Sequence, residues 1–162
     1  MFVIRVALLL DLDMNKVVSS VKEFKPLEHR MEYFGTFNGV KYYDDAIATI
    51  PEATINCIEA LKDVDTIIFG GQDRGINYNI LVEFFNNCQV KNFIGMPETG
   101  YWVVDRLNKK NTYKVETLEE AVKIAKEVSK SICLLSPAAP SYNAFKNFEE
   151  KGNKFKELVK KD

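Results

Sequence analysis

The spacing of apolar and polar positions changes period along the chain. Val17, Val18, Val21 and Phe24 recur at helical spacing behind Asp13, a favoured N-cap residue, and predict a short helix over residues 14–24 after another over 2–12. Pro26 ends that pattern. Residues 31–37 and 40–43 are then rich in β-formers and flank Asn38-Gly39, a dipeptide suited to a type I′ turn, which predicts an antiparallel hairpin.

From Pro51 the pattern alternates: helix 51–61, strand 64–70, helix 78–87, strand 90–96, helix 98–108, strand 112–116, helix 117–129, strand 131–136, helix 141–160. Residues 66–69 and 132–135 form the continuous apolar runs expected of parallel strands covered on both faces. Helix starts are marked by Pro51 beside Glu52, by Thr117 with Glu120 three residues on, and by Ser141 ahead of the last helix. The fold class this predicts is α/β: a three-layer, Rossmann-like domain whose sheet is mostly parallel with one antiparallel hairpin strand. In such sheets ligands bind outside the carboxyl ends of the strands, which selects residues 44–50, 70–77, 95–99 and 136–141 for inspection.

Composition narrows the chemistry. With 22 Lys and Arg against 23 Asp and Glu, the net charge of -1 provides no broad electrostatic footprint for nucleic acid or an anionic membrane, so any anion site must be local. The apolar stretch at residues 6–10 is far short of the roughly 20 residues that span a bilayer. Cys57, Cys88 and Cys133 are odd in number and lie among apolar residues, which suits reduced core thiols, and a single histidine, His29, argues against a His-rich metal centre. No metal ligand is expected.

Three strand-end segments carry candidate chemistry. Asp44 and Asp45 end a strand, and Thr49 stands just before a helix whose free N–H groups favour an anion. Gly70-Gly71-Gln72-Asp73-Arg74-Gly75 allows close backbone approach and offers a planar guanidinium, but matches neither a P-loop nor a dinucleotide fingerprint. Ser136-Pro137-Ala138-Ala139-Pro140-Ser141 is a stiff loop of small residues from which Ser141 and the first turn of the final helix could hold a carboxylate. Each also has a plain reading, as solvated loop, glycine turn or helix cap.

In combination, residues 26–32 around His29-Arg30, Asn38-Gly39-Val40 leading to Asp44-Asp45 and Ala48-Thr49, Gly70-Gly71 with Arg74, and residues 134–152 resemble the carboxyl-terminal domain of the Mur ligases. These are ATP-dependent amide-forming enzymes of peptidoglycan precursor synthesis, and the glutamate-adding members are the nearest match. Leu-Leu-Ser-Pro-Ala-Ala-Pro-Ser followed by Phe-Lys-Asn-Phe-Glu-Glu-Lys-Gly is the most specific segment. The resemblance covers essentially the whole chain and divides it into residues 1–25, a helical remnant of the central ATP-binding domain, and residues 26–162, the amino-acid-binding domain. It implies a cytoplasmic enzyme in which ATP and Mg2+ activate the carboxylate of UDP-N-acetylmuramoyl-L-alanine as an acyl phosphate that the amine of glutamate attacks. It also implies that Thr49, Arg74, Ser141 and the backbone at Phe148 hold the glutamate carboxylates, that Arg30 and Asp45 contact the nucleotide, and that His29 lies close to the adenosine.

Two positions depart from the family pattern. The usual strand-end motif Asp-Ser-Lys-Ala-Thr-Asn reads here Asp45-Ala46-Ile47-Ala48-Thr49-Ile50, without the lysine, and Arg74 stands where a lysine is common. These forms leave D- and L-glutamate both open. A P-loop, a carbamylated-lysine candidate and a UDP-sugar domain are all missing from the sequence, so the isolated chain is expected to be inactive and to need the amino-terminal and central domains as partners. A stand-alone carboxylate-binding module is the alternative. A receiver-like signalling domain fails, because Leu135 runs into Ser136-Pro137 where a receiver needs a lysine.

Overall fold

The computed structural model describes residues 2–142 and 144–161. Two helices come first, α1 (Phe2–Leu9) and α2 (Met14–Glu23). Asp13 caps α2 by accepting from the N–H groups of Asn15 and Lys16, while α1 stops short of residue 12 where Asp11 turns to φ 51°. The hairpin follows as β1 (Glu32–Phe37) and β2 (Val40–Asp44), with Asn38 at φ 50° and Gly39 at φ 80°, as a type I′ turn requires.

The alternating region forms α3 (Pro51–Leu61), β3 (Val64–Gly71), α4 (Asn79–Asn87), β4 (Asn92–Glu98), α5 (Thr99–Val104), β5 (Asn111–Lys114), α6 (Leu118–Val128), β6 (Ile132–Leu135) and α7 (Phe148–Lys160). The sheet order is β1-β2-β6-β3-β4-β5, parallel throughout except for β1 against β2. Alternate residues of each strand enter opposite cores. Ile68, Ile94, Cys133 and Leu135 pack with Leu118, Ala121 and Val122 of α6 and Phe155 and Val159 of α7. Ile67, Phe69, Phe93 and Leu134 pack with Cys57 and Ile58 of α3, Leu81 and Phe85 of α4 and Val103 of α5. Helices on both faces complete the three layers.

Two predicted helices are corrected. α5 ends at Val104 instead of 108, because the chain tightens into i→i−3 turns, with the Arg106 and Leu107 N–H groups donating to Val103 O and Val104 O. α7 starts at Phe148, not at residue 141. Ala144 and Phe145 both donate to Ser141 O in a separate turn, and the true cap is Asn147, whose side chain accepts from Glu150 N while Glu150 accepts from Lys146 N. Asn143, within the predicted helix, lies outside the described residues.

The winding direction reverses beside β3. The chain moves from β3 to β4 and β5 with helices on one face, then returns through α6 to place β6 on the other side of β3. The loops after β3 and β6 therefore leave toward opposite faces, and the space outside their carboxyl ends is the ligand position of a doubly wound sheet.

Candidate functional site

At that edge the backbone ties the strand ends together. Gly70 N donates to Pro137 O and Gln72 N to Pro140 O, each at 2.8 Å, so the loop bearing Arg74 lies against the loop bearing Ser141. Gly70 sits at φ 110°, and a Cβ there would meet Met96 O, which is why glycine is required. Beyond it, Asp73 Oδ1 accepts from Gly75 N and its own N–H donates to Glu98 Oε2, a turn that presents Arg74 to solvent with its guanidinium 5.9 Å from the Tyr142 ring centroid.

Ser141 is 3% exposed, and among the described residues its Oγ has no hydrogen-bond partner. Among the described residues only Tyr78 and Ser129 share that condition. An unsatisfied buried hydroxyl costs roughly 1–3 kcal/mol, so one retained at a strand-end crevice points to an absent acceptor or donor. Phe148 is the first residue of α7, and its N–H has no intrahelical acceptor. The expectation that Ser141 itself opens that helix is corrected: the hydroxyl and the helix terminus are separated by the 141–147 turn.

Thr49 precedes the actual N-cap of α3, Ile50, and is half-buried. The first turn of α3 is fixed by Thr54, whose Oγ1 lies 2.8 Å from Ser136 Oγ, and Ser136 in turn donates to Asp45 Oδ2 at 2.8 Å. This buried relay joins the ends of β2, α3 and β6, placing Thr49 on the same edge as Arg74 and Ser141.

His29, Arg30 and Asp45 divide into inward and outward groups. His29 at φ 59° and Met31 at φ 47° twist the backbone so that His29 is buried while Arg30 between them is exposed. Asp45 accepts from Met31 N at 3.1 Å as well as from Ser136, and burial raises its pKa. His29 Nδ1 lies 2.6 Å from Asp44 Oδ2, with the Phe148 ring edge-on at 6.0 Å between centroids. The pair packs against Gly152 of α7, where a Cβ would overlap both His29 Nδ1 and Asp44 Oδ2.

His29, Glu32 and Asp44 bring ligand-type atoms within 4.8 Å of one another. A lysine supplies the positive charge in that cluster: Lys156 Nζ is 3.0 Å from Glu32 and 3.8 Å from Asp44. Burial pushes Glu32 up, but the bonds from His29 N–H and Lys156 outweigh it and hold the carboxyl below its ordinary range. For Asp44 burial prevails and the pKa is raised. The cluster is an ion-pair network that fastens the hairpin to α7.

The sequence analysis singled out Asp44 for its position but missed its pairing with His29, the Ser136–Thr54 relay and buried Lys151. The Asn147-to-Glu150 spacing was the available signal for the true helix start. Cys57, Cys88 and Cys133 are unpaired thiols. Burial raises all three pKa values, and the neighbouring Asp45 adds to the shift at Cys57.

No family model matches the chain. Over 158 residues, 95% of its length, it is 39% identical to the UDP-N-acetylmuramoylalanine–D-glutamate ligase of Aquifex aeolicus, and covers 38% of that relative. Its fold is similar to that of the UDP-N-acetylmuramate-alanine ligase MurC from Thermotoga maritima, with TM-score 0.66 and 18% identity over 95% of this chain and 35% of that one. The MurF ligase from Thermotoga maritima, solved in complex with ADP, aligns with TM-score 0.62 and 19% identity over 95% of this chain and 36% of the other. The chain spans little more than a third of the length of the relatives it matches.

Proposed function

This chain belongs to the Mur ligase family and matches its carboxyl-terminal domain, and from that premise we propose that it serves as the glutamate-binding part of an ATP-dependent ligase that adds D-glutamate to UDP-N-acetylmuramoyl-L-alanine. The observation that carries this reading is the buried Ser141 hydroxyl, unpartnered among the described residues, on the loop that the Gln72 N–H ties to the Arg74 loop. Thr49, Arg74, Ser141 and the Phe148 N–H hold the two carboxylates. A dicarboxylate suits several separate donors around one crevice, and the D form follows the name of the Aquifex aeolicus relative. Residues 26–162 are the amino-acid-binding domain, and residues 1–25 belong with the central ATP-binding domain.

On the nucleotide side, the exposed Arg30 guanidinium fits an anionic or ribose-bearing ligand, while His29 and Asp45 hold the backbone that presents it. Asp45 retains acceptor capacity beyond its bonds with Met31 N, Ser136 and Cys57, because a carboxylate offers about four lone-pair sites. ATP with Mg2+, when bound, supplies the activation of the muramoyl carboxylate. Both are held mainly by the central domain, and the amino-terminal and central domains act with this chain as partners. Among the described residues no helix is long and apolar enough to cross a membrane. On the proposed reading the work is cytoplasmic, on a UDP-linked precursor, with neither membrane nor nucleic acid as partner.

The test is a titration of the isotopically labelled chain with D-glutamate, L-glutamate and Mg-ADP separately, following the amides of Thr49, Arg74, Ser141 and Phe148. Saturable shifts with D-glutamate at about millimolar affinity, roughly 4 kcal/mol, support the reading. Saturation by L-glutamate alone reverses the stereochemistry, and silence toward both enantiomers removes the glutamate site.

A further inference from the structure

Lys151 stands on the first turn of α7 with 1% of its surface exposed. Its Nζ donates to Gly70 O at 2.9 Å and lies 6.0 Å from the centroid of the Phe145 ring. Among the described residues it forms no ion pair with a carboxylate, although Glu98 and Glu116 line the same cleft of about 250 Å3. Burial alone pulls its ammonium down to about 7. A lysine buried in this way costs stability, and an apolar side chain of similar length would fill the space better.

What the lysine adds is a link. The Gly70 peptide is the junction of the β3 end, which carries Arg74, with the 137–141 loop, which carries Ser141: Gly70 N donates to Pro137 O and Gln72 N to Pro140 O. Lys151 fastens to that junction the helix turn that starts at Phe148, three residues earlier on the same face. On the far side of the turn, Gly152 is pressed against His29 and Asp44. The first turn of α7 is thereby held between β2 and β3.

We propose that Lys151 is a positioning residue for the incoming amino acid, its bond to Gly70 O keeping the Phe148 end of α7 in register with the Arg74 and Ser141 loops so that both glutamate carboxylates are held at once. The inference rests on the glutamate reading above. It explains why a costly buried lysine is kept at a position where packing would favour an apolar residue.

The experiment compares the 162-residue chain with its Lys151→Met and Lys151→Arg variants, measuring the Kd for D-glutamate and L-glutamate from amide shifts and the melting temperature of each. The expected result is a Kd at least tenfold weaker in Lys151→Met with no loss of melting temperature, and binding within threefold of the parent in Lys151→Arg, which keeps a donor for Gly70 O. A Lys151→Met chain that binds within twofold of the parent, or an arginine variant no better than the methionine one, overturns the proposal. A lower melting temperature with unchanged Kd overturns it too, since that is the behaviour of a purely structural tether. If Lys151→Met loses its dispersed spectrum, the parent chain decides: the Lys151 Cε resonance must move on saturation with glutamate, and its silence overturns the assignment. Failure of the parent chain to bind either enantiomer removes the glutamate site and this inference together, whereas parent binding with an unaffected variant removes this inference alone.

Discussion

Gly152 illustrates how one position can reverse a local preference. Within an exposed helix, alanine is favoured over glycine by about 1 kcal/mol. At residue 152 the added Cβ would overlap the buried His29–Asp44 pair, and overpacking of this kind costs typically about 1–3 kcal/mol. Gly152→Ala is therefore expected to lower stability by about 2 kcal/mol, measured as a fall in the denaturant midpoint at constant slope. A stabilised variant would mean that the pair is free to move away from α7. The buried Ser141 hydroxyl yields the complementary expectation: with no partner to lose, Ser141→Ala should relieve the desolvation cost and raise the unfolding free energy by about 1 kcal/mol while weakening glutamate binding.

The elements are held at their ends by side chains that the hydrophobic pattern does not reveal. Asp65, near the start of β3, is buried and accepts from Lys130 N, Ser131 N and Ile132 N at 2.7, 3.2 and 3.0 Å, fixing the entry of β6 at the edge opposite the candidate site. Asp65→Ala leaves those donors without their acceptor and is expected to cost about 3 kcal/mol of unfolding free energy. It should alter glutamate binding only through the folded fraction, which separate unfolding and titration curves on the same variant would resolve. Asn147 does comparable work for α7, and its replacement by alanine should cost about 1 kcal/mol by loss of the cap.

For the molecule as a whole, buried charges set the response to pH. Lys151 titrates at about 7 in the folded chain against 10.5 ordinarily, so between those values the unfolded chain carries the extra proton. Stability contributed through this group therefore rises with pH from about 7 toward 10.5, and its burial penalty is fully present below that window. Glu32 acts at the acid end with the opposite origin: its lowered pKa favours the folded state above its ordinary 4.5, and that contribution is lost as pH falls through the folded value. Thermal unfolding of the parent and of Lys151→Met between pH 6.5 and 10 should show the alkaline rise only in the parent. Equal slopes would mean that Lys151 is charged throughout that range.

The hydrophobic period determined the element order, the hairpin, the strands of the parallel sheet and hence the edge on which a ligand belongs, because burial on one face or two leaves a direct trace in the spacing of apolar residues. It also marked Thr49, Arg74 and Ser141, which the fold brings to that one edge. Other features were decided by contacts between residues far apart in the chain. The period of residues 141–147 gives no sign that a separate turn precedes α7; only the Asn147-to-Glu150 cap, a local signal outside the hydrophobic period, marks the helix start. His29 and Asp44 are 15 positions apart, Asp45 and Ser136 91, and Gly70 and Lys151 81. A lysine in an amphipathic helix reads as solvated until the tertiary structure places it beneath the strand ends. The desolvation that sets its charge exists only once those strands have assembled.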